Sequence, residues 1–274
     1  MFRISAVVLL SVAVALSSTA FGARAQTGEV LSRSELRVCA DPNNLPFSNE
    51  QEQGFENKIA HVVGSELNLP VSYFWFPQVI GFVRNTLQAR NCDLVIGTIA
   101  GGDIMQTTNP YYYSTYVMVV RSDRKDSLSG IDDPKLKNMR IGIIAATPPT
   151  DLLVRHGLIA NVKPYALMVD TRYESPTHQM IEDIVKGDVD VGLLWGPIAG
   201  YYAKHEKMPL TITALKNEPG APRMDYRVAM GVRANEPEWR RRINAVIVKR
   251  RPEITAILQD YGVPLLDERG QLTD

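Results

Sequence analysis

The sequence predicts an α/β protein of two lobes, which are joined by two hinge strands and face each other across a cleft. Three observations support this fold class. Short apolar runs of strand length alternate with segments whose apolar residues recur three and four positions apart, a pattern typical of parallel α/β architecture. A second series of the same kind begins near residue 132. A late apolar run then leads back to two C-terminal helical segments.

In the first series, an apolar run ends at Asp41-Pro42-Asn43-Asn44, residues that favour a turn by bonding to nearby backbone. Phe55, Ile59, Val63 and Leu67 then recur at helical spacing and predict an amphipathic helix with one buried stripe. Predicted strands of this series cover residues 36–40, 71–76, 93–97 and 116–120, with a further helix at 82–87. The second series predicts strands at 140–144, 189–194 and 226–232, and helices at 150–156, 179–186, 238–249 and 252–261.

The order of these elements predicts a discontinuous first lobe. Two crossover strands, near residues 117–121 and 227–232, would form the hinge. We therefore predict that lobe 1 comprises residues 26–118 plus 229–274, and that lobe 2 comprises residues 119–228. Ligands of parallel sheets bind beyond the carboxyl ends of the strands, so we expect the cleft at those ends, with hinge closure as the motion it supports.

The N-terminus has the pattern of a secretory signal peptide. A positive start at Arg3 precedes a small and aliphatic run over residues 6–15, and Ala23-Arg24-Ala25 offers a small-x-small cleavage site. We predict that residues 1–25 are the signal peptide and that the mature protein works in the periplasm. No other run approaches the roughly 20 apolar residues of a membrane helix, so we expect no membrane span in the mature protein.

Charge and cysteine content narrow the function further. Thirty basic residues balance thirty acidic ones, and without a positive field we expect no nucleic-acid binding. An exported chain permits a disulfide between Cys39 and Cys92. The predicted strands, if they are parallel neighbours, would place these two residues apart in register. Both the disulfide and two free thiols therefore stay open.

Several motifs carry a resemblance to a known family. Residues 36–49 followed by Gly54-Phe55-Glu56-Asn57-Lys58-Ile59-Ala60 resemble the opening of type II periplasmic solute-binding proteins. One branch is most similar, the J-type proteins of methanol-oxidation gene clusters (MxaJ and XoxJ). The segments similar to that branch are 75–78, 81–87, 92–93, 107–116, 174–176 and 192–197. They fall in family order along nearly the whole mature chain.

The resemblance implies a type II periplasmic-binding-protein fold and a periplasmic accessory role. Such a protein would work beside a PQQ-dependent, often lanthanide-dependent, methanol or alcohol dehydrogenase. Its expected partner is the dehydrogenase or its cytochrome, which it would bind or help to mature. The resemblance implies no cofactor on this chain itself, and the carry-over rests on likeness because a fold does not fix a function.

The amino-acid-binding relatives hold their ligand with two charged anchors, and both are missing here. The segment that carries their carboxylate-binding arginine reads Ile99-Ala100-Gly101-Gly102-Asp103-Ile104-Met105-Gln106-Thr107 in this chain. Arginine suits that task because its guanidinium binds a carboxylate bidentately. The acidic position after the strand of the second lobe corresponds to Trp195, beside a predicted Gly-Pro turn. We therefore expect the ligand not to be a free amino acid.

The predicted cleft residues are mostly aromatic or polar. They are Asp41, Asn43, Phe47, Phe76, Gln78, Asp103, Tyr111, Tyr112 and Trp195. Aromatic side chains often dominate interface energy, which favours a large apolar cleft for a bulky ligand or a protein segment. The alternative is that these aromatics fill the core, as strand alternation allows for Phe76 and Tyr112.

No catalytic or metal-binding signature is evident. The chain contains no G-x-S-x-G, no H-E-x-x-H and no glycine-rich phosphate loop, and its four histidines lie on different predicted elements, so we expect neither an enzyme nor a metal site. Arg240, Arg241 and Arg242 form a basic run that is either a solvated helix face or a docking patch for an acidic partner. Two alternatives stay open for the whole protein: a transport receptor for a small non-amino-acid solute, and a lyase that uses an acid such as Asp41 or Asp103.

Overall fold

The computed structural model describes residues 33–124 and 128–273, which contain twelve β-strands and six α-helices. The strands are β1 (Leu36–Ala40), β2 (Asn43–Asn44), β3 (Ser48–Asn49), β4 (Val71–Trp75), β5 (Leu94–Ile99), β6 (Gln106–Thr107), β7 (Tyr112–Arg121), β8 (Ile141–Ile144), β9 (Val162–Tyr165), β10 (Val191–Trp195), β11 (Leu210–Ala214) and β12 (Asp225–Val232). The helices are α1 (Phe55–Leu67), α2 (Pro149–Arg155), α3 (Pro176–Lys186), α4 (Gly196–His205), α5 (Pro237–Lys249) and α6 (Arg251–Asp260). The predicted signal peptide lies outside the described residues.

Ten of the strands form one sheet, in the order β4-β1-β5-β12-β7-β10-β8-β9, with β6 on β12 and β11 on β7. The outer strands are parallel, as predicted: β4, β1 and β5 on one side, and β10, β8 and β9 on the other. The two central strands, β7 and β12, run antiparallel to each other and to their other partners. They differ from the rest because they carry the chain from one half to the other and back.

Strand β7 is shared between the two halves of the sheet. Its first residues, Tyr112–Thr115, pair with β12, whereas residues from Tyr116 onward pair with β10 and β11. The end of β12 pairs with β5. The change of partner therefore falls between Thr115 and Tyr116, close to the predicted hinge. The predicted lobe boundaries at 118/119 and 228/229 stay predictions.

Separate hydrophobic cores stabilise the two halves. In the first half, α1, α5 and α6 pack on β1, β5 and β12, and residues such as Phe55, Ile59 and Ile243 are fully buried. In the second half, β8 and β10 are covered on one side by α2 and on the other by α3 and α4. Each fully buried large aliphatic or aromatic side chain contributes about 1.5–3 kcal/mol relative to an exposed one.

Helix α1 fixes the loop that follows β1. A side chain at Gly54, just before the helix, would place its Cβ 2.0 Å from the Phe47 carbonyl oxygen, so only glycine allows this close approach. Asn57 Oδ1 accepts hydrogen bonds from the backbone N–H groups of Gly54 (3.0 Å) and Asn49 (3.2 Å). The helix ends at Asn68, whose left-handed φ of 54° terminates the helical path. The loop from Asp41 to Asn49 is thereby held against the N-terminus of α1.

Cys39 and Cys92 form a disulfide, with their Cα atoms 5.3 Å apart. Strands β1 and β5 are parallel neighbours, and Cys39 is opposite Val95 in their register. Cys92, however, precedes β5 in a turn, and the next N–H, that of Asp93, donates to the Arg37 carbonyl at 2.7 Å. This turn places Cys92 next to Cys39, so the separation expected from the strand register does not apply to this pair. Both cysteines are buried.

Six of these strands and helices were not predicted, and two predicted features change. They are the two-residue strands β2, β3 and β6 and the longer elements β9, β11 and α4. The predicted Gly-Pro turn after Trp195 is wrong, because Gly196 and Pro197 begin helix α4; proline needs no N–H partner in the first turn of a helix. The predicted helix at 82–87 is short and winds as a π-helical turn over Arg84–Gln88. Within the described residues, no helix is both long and apolar enough to cross a membrane.

Candidate functional site

Asp41 is the centre of a polar network at the carboxyl end of β1. Its side chain is fully buried. Its carboxylate accepts hydrogen bonds from the backbone N–H groups of Asn43 (2.9 Å) and Gln78 (2.7 Å), and from the Thr171 hydroxyl (2.7 Å). The Gln78 side chain in turn accepts a hydrogen bond from Asn44 at 3.1 Å. The predicted residues Asp41, Asn43 and Gln78 are therefore brought together.

Two hydrogen bonds from this network cross to the second half of the protein. Thr171 lies between β9 and α3. Its hydroxyl donates to Asp41 Oδ1, and its carbonyl accepts a hydrogen bond from Asn43 Nδ2 at 2.8 Å. We call this pair of contacts the Asp41–Thr171 bridge. It holds the loop after β1 against a loop of the opposite half, as expected where two lobes meet, and no sequence motif marks Thr171.

A second buried acid, Glu56, lies beside Asp41 and was not predicted. Glu56 is only 8% exposed. Its carboxyl group lies against Gly97, where an added Cβ atom would be 2.0 Å from Glu56 Oε1. Burial, reinforced by the nearby charge of Asp41, raises the pKa of Glu56 to about 8. A neutral carboxyl group at pH 7 can donate a hydrogen bond, which a carboxylate cannot. Helical spacing could have shown the burial, because Glu56 lies on the same stripe as Ile59 and Val63.

A separate aromatic cluster surrounds the predicted cleft residue Trp195 at the end of β10. Trp195 is opposite Tyr116 in the β10–β7 register, and their ring centroids are 5.2 Å apart. Tyr226 of β12 completes the cluster at 6.1 Å from Trp195. Burial, together with the neighbouring Tyr226, raises the pKa of Tyr116 to about 12. Trp195 therefore fixes one end of β10 to both central strands, through two tyrosines that were not predicted as its neighbours.

The structure does not place the remaining predicted aromatics together at a cleft. Tyr111 and Tyr112 are buried in the first-half core, and the Tyr111 hydroxyl donates to the Ile96 carbonyl; their placement at the rim is wrong, because both are core residues. Phe47 packs edge-on against Phe55 at 5.3 Å, next to the Asp41 loop. Phe76 packs near Phe82, against the cluster around the disulfide. The alternative of core filling thus holds for most of them.

Asp103 does not join the Asp41 network. It lies on an exposed loop after β5. That loop is held by hydrogen bonds from Gln88 to the Ile104 carbonyl and from the Gly101 N–H to Thr107. Asp103 is therefore separate from the Asp41 hydrogen bonds, and its position at the mouth of the cleft stays a prediction.

The three successive arginines of α5 have different surroundings, because neighbouring residues of a helix point about 100° apart. Arg240 is half-buried, Arg241 forms an ion pair with Glu238, and Arg242 lies 5.7 Å from the Trp239 ring centroid. A docking patch at these residues stays a prediction. Among residues 33–124 and 128–273, no group of three or more histidine, cysteine or acidic side chains could together hold a metal ion.

Comparison with known proteins places this chain in a family. Residues 36–263 match the model of the bacterial extracellular solute-binding proteins, family 3. The chain belongs to this family. Its structure is similar to the crystal structure of the periplasmic binding protein XoxJ from Methylobacterium extorquens AM1, with a TM-score of 0.73 and 43% identity. That match covers 85% of this chain and 100% of the XoxJ chain.

Two further relatives define the type within the family. MxaJ from Methylophaga aminisulfidivorans MPT is 25% identical, with a TM-score of 0.72 over 84% of this chain and 100% of that one. Protein MoxJ of Methylorubrum extorquens AM1 is 28% identical over 96% of this chain and 95% of its own length. The family 3 chain is thus an MxaJ/XoxJ-type protein with the type II periplasmic-binding-protein fold.

Removing the Thr171 hydroxyl tests the Asp41–Thr171 bridge. Thr171→Val keeps the side-chain shape but removes the hydroxyl that donates to Asp41 Oδ1. We expect the free energy that holds the two halves together to fall by about 1 kcal/mol. In small-angle scattering, the radius of gyration should increase, because the halves separate more often. Thr177→Val makes the same exchange on α3 and serves as the control. An unchanged radius for Thr171→Val would show that the bridge does not hold the halves together.

Proposed function

We propose that this protein is a non-enzymatic periplasmic accessory protein of a PQQ-dependent methanol or alcohol dehydrogenase. It would bind the dehydrogenase or its cytochrome and help the enzyme to mature. The observation that carries the proposal is the likeness to XoxJ along the whole of that chain, at 43% identity. Homologous periplasmic proteins with this identity over their full length commonly share a broad role, although a fold alone does not fix function.

The site supports a role other than amino-acid transport. Residues 99–107 contain no arginine for a ligand carboxylate. Trp195 stands where the resemblance expects an acid for a ligand ammonium, and this side chain is engaged with Tyr116 and Tyr226. Asp41, the remaining acid of the first-half loop, already accepts three hydrogen bonds from the protein. These three facts fit a family 3 protein that has lost the anchors of its amino-acid-binding relatives.

One observation favours a second candidate, a receptor that delivers a small solute to a membrane permease. The Glu56 carboxyl group is buried next to Asp41, and no described residue forms a hydrogen bond with it. A buried polar group without a partner costs free energy, so a polar or cationic solute could satisfy it. This candidate predicts saturable solute binding with closure of the two halves.

The test is a binding titration of the purified protein against a purified PQQ-dependent dehydrogenase and against its cytochrome, measured by biolayer interferometry. We expect a dissociation constant of about 10 μM or lower for one of them. Charge reversal of the predicted patch, Arg241→Glu with Arg242→Glu, should weaken that binding about tenfold and reduce its salt dependence. Lys58→Glu with Lys207→Glu gives the same charge change on exposed residues elsewhere.

The alternatives give different results in the same experiment. Binding that is unchanged by the α5 reversal would leave the accessory role intact but remove the docking patch. No binding to either protein, together with a solute that raises the melting temperature saturably, would replace the accessory role by the receptor role. The accessory role also predicts that apo-dehydrogenase supplied with its cofactor regains activity faster in the presence of this protein.

A further inference from the structure

The two central strands present two chemically different faces. Thr115 pairs with Asp225, and Tyr113 pairs with Arg227; because paired residues of neighbouring strands point to the same side, these four side chains share one face. The alternate residues Tyr116 and Tyr226 contact Trp195 on the opposite face. The charged face is therefore separated from the Trp195 cluster by the thickness of the sheet.

The charged face lines an open cavity of about 870 Å³. Its walls are completed by the chain that follows β11 and by the C-terminal segment from Leu266 to Leu272. Four basic side chains line it, namely Lys216, Arg223, Arg227 and Arg269, against two acidic ones, Asp225 and Glu268. The excess is local, because acidic and basic residues balance in the chain as a whole.

Only one of these basic groups is neutralised by an acid of the cavity. Arg223 binds Asp225 at 2.7 Å, and Asn217 donates to the same carboxylate at 2.6 Å. Burial raises the pKa of Asp225, but the hydrogen bonds from Tyr113, Arg223 and Asn217 outweigh burial and lower it. The Asp225 carboxylate is therefore ionised, and its oxygens are already bound by Arg223 and Asn217.

Three cations remain, on three different segments of the chain. Arg227 lies over the Tyr113 ring, 4.8 Å from its centroid, and forms no ion pair with a described residue. Within residues 33–124 and 128–273, Lys216 and Arg269 likewise have no ionic or side-chain hydrogen-bond partner. Glu268 is the other acid of the cavity, so these three exposed cations leave a local excess of two positive charges, which favours an anion over a neutral or cationic ligand.

We propose that this cavity is a binding site for a small, multiply charged anion, carrying either several carboxylates or phosphate groups. Its volume lies in the range of small-molecule sites. Two guanidinium groups match carboxylate and phosphate oxygens bidentately, and the lysine adds a compact positive charge. The site is distinct from the Asp41–Glu56–Trp195 region, so the proposal is independent of the accessory function proposed above.

Isothermal titration of the purified protein at low ionic strength tests the proposal, with citrate and pyrophosphate as the probes and acetate as the singly charged comparison. We expect a dissociation constant of about 1 mM or lower for at least one of the two polyanions, and markedly weaker binding of acetate. The double variant Arg227→Gln/Arg269→Gln should weaken the polyanion at least tenfold. The charge-matched double variant Lys58→Gln/Lys207→Gln should bind as the unaltered protein does.

Each outcome has one meaning. Preference for citrate assigns the site to polycarboxylates, and preference for pyrophosphate assigns it to phosphate-bearing anions. Equal weakening by both double variants would overturn the proposal, because it would show a general effect of net charge. Absence of polyanion binding to the unaltered protein would also overturn it.

Discussion

Replacing Arg233 by methionine should lower the free energy of unfolding by about 3–5 kcal/mol, because it breaks a buried ion pair and leaves a charge without its partner. Arg233 is only 7% exposed and binds Asp93 and Glu236. It also donates to the carbonyls of Leu87 and Cys92. One guanidinium thus holds the start of β5, the disulfide turn and the approach to α5. Chemical denaturation at pH 7 measures the loss.

Arg37→Met is the matched control, because Arg37 binds the same carboxylate from the other side. Its side chain is 37% exposed, and its Nε lies 2.8 Å from Asp93 Oδ2. An exposed partner contributes less, so we expect a loss below about 1 kcal/mol. Similar losses for the two variants would show that the burial of Arg233 does not increase its contribution to stability.

The Asp93 network also predicts acid sensitivity. Burial raises the pKa of Asp93, but hydrogen bonds from Arg37 and Arg233 outweigh burial and lower it. The network therefore stabilises the fold above the ordinary carboxyl pKa, and this contribution is lost as the pH falls through the lowered pKa. In Arg233→Met, the stability curve should fall less steeply on the acid side.

In contrast to Arg233→Met, Glu56→Gln should stabilise the protein and raise the free energy of unfolding at pH 7 by about 3 kcal/mol. Burial raises the pKa of Glu56 from the ordinary 4.5 to about 8. Between these two values the folded protein holds a proton that the unfolded chain has released, so stability falls as the pH rises through this window and levels off above it. Glutamine has nearly the same shape and no such proton, so it should flatten the profile.

Melting temperatures at pH 5 and pH 8 test this expectation. The unaltered protein should lose stability between these two pH values, and Glu56→Gln should lose much less. Glu50→Gln, the same exchange on an exposed residue, should change the stability by less than about 0.5 kcal/mol. If Glu56→Gln destabilises the protein at both pH values, the carboxyl group has a partner that only glutamate can satisfy.

Much of the fold could be predicted from the sequence, because apolar periodicity reflects burial directly. The strand at β1, the stripe of α1 and the return strand β12 are all evident from spacing. The missed elements carry weaker signals. Strand β9 alternates poorly and is half exposed, and α4 begins with Gly196 and Pro197, two residues that more often mark a turn.

The candidate site was predicted less well, because it depends on contacts between distant segments. Asp41, Asn43 and Gln78 could be found since two of them belong to a recognisable turn. Thr171 lies 130 positions from Asp41, and nothing local distinguishes it from other loop threonines. Tyr111 and Tyr112 were misplaced because the sequence pattern of two neighbouring aromatic residues is the same whether they line a cleft or fill the core.

The position of β12 between β5 and β7 has a consequence for the order in which the protein can be completed. The chain reaches β5 by residue 99, but the partner that covers its free edge is supplied only by residues 225–232. Until that segment is available, β5 presents an unpaired edge, which is prone to association with other chains. A truncation before residue 225 should therefore aggregate rather than yield a smaller folded domain, although most of the first-half residues would be present.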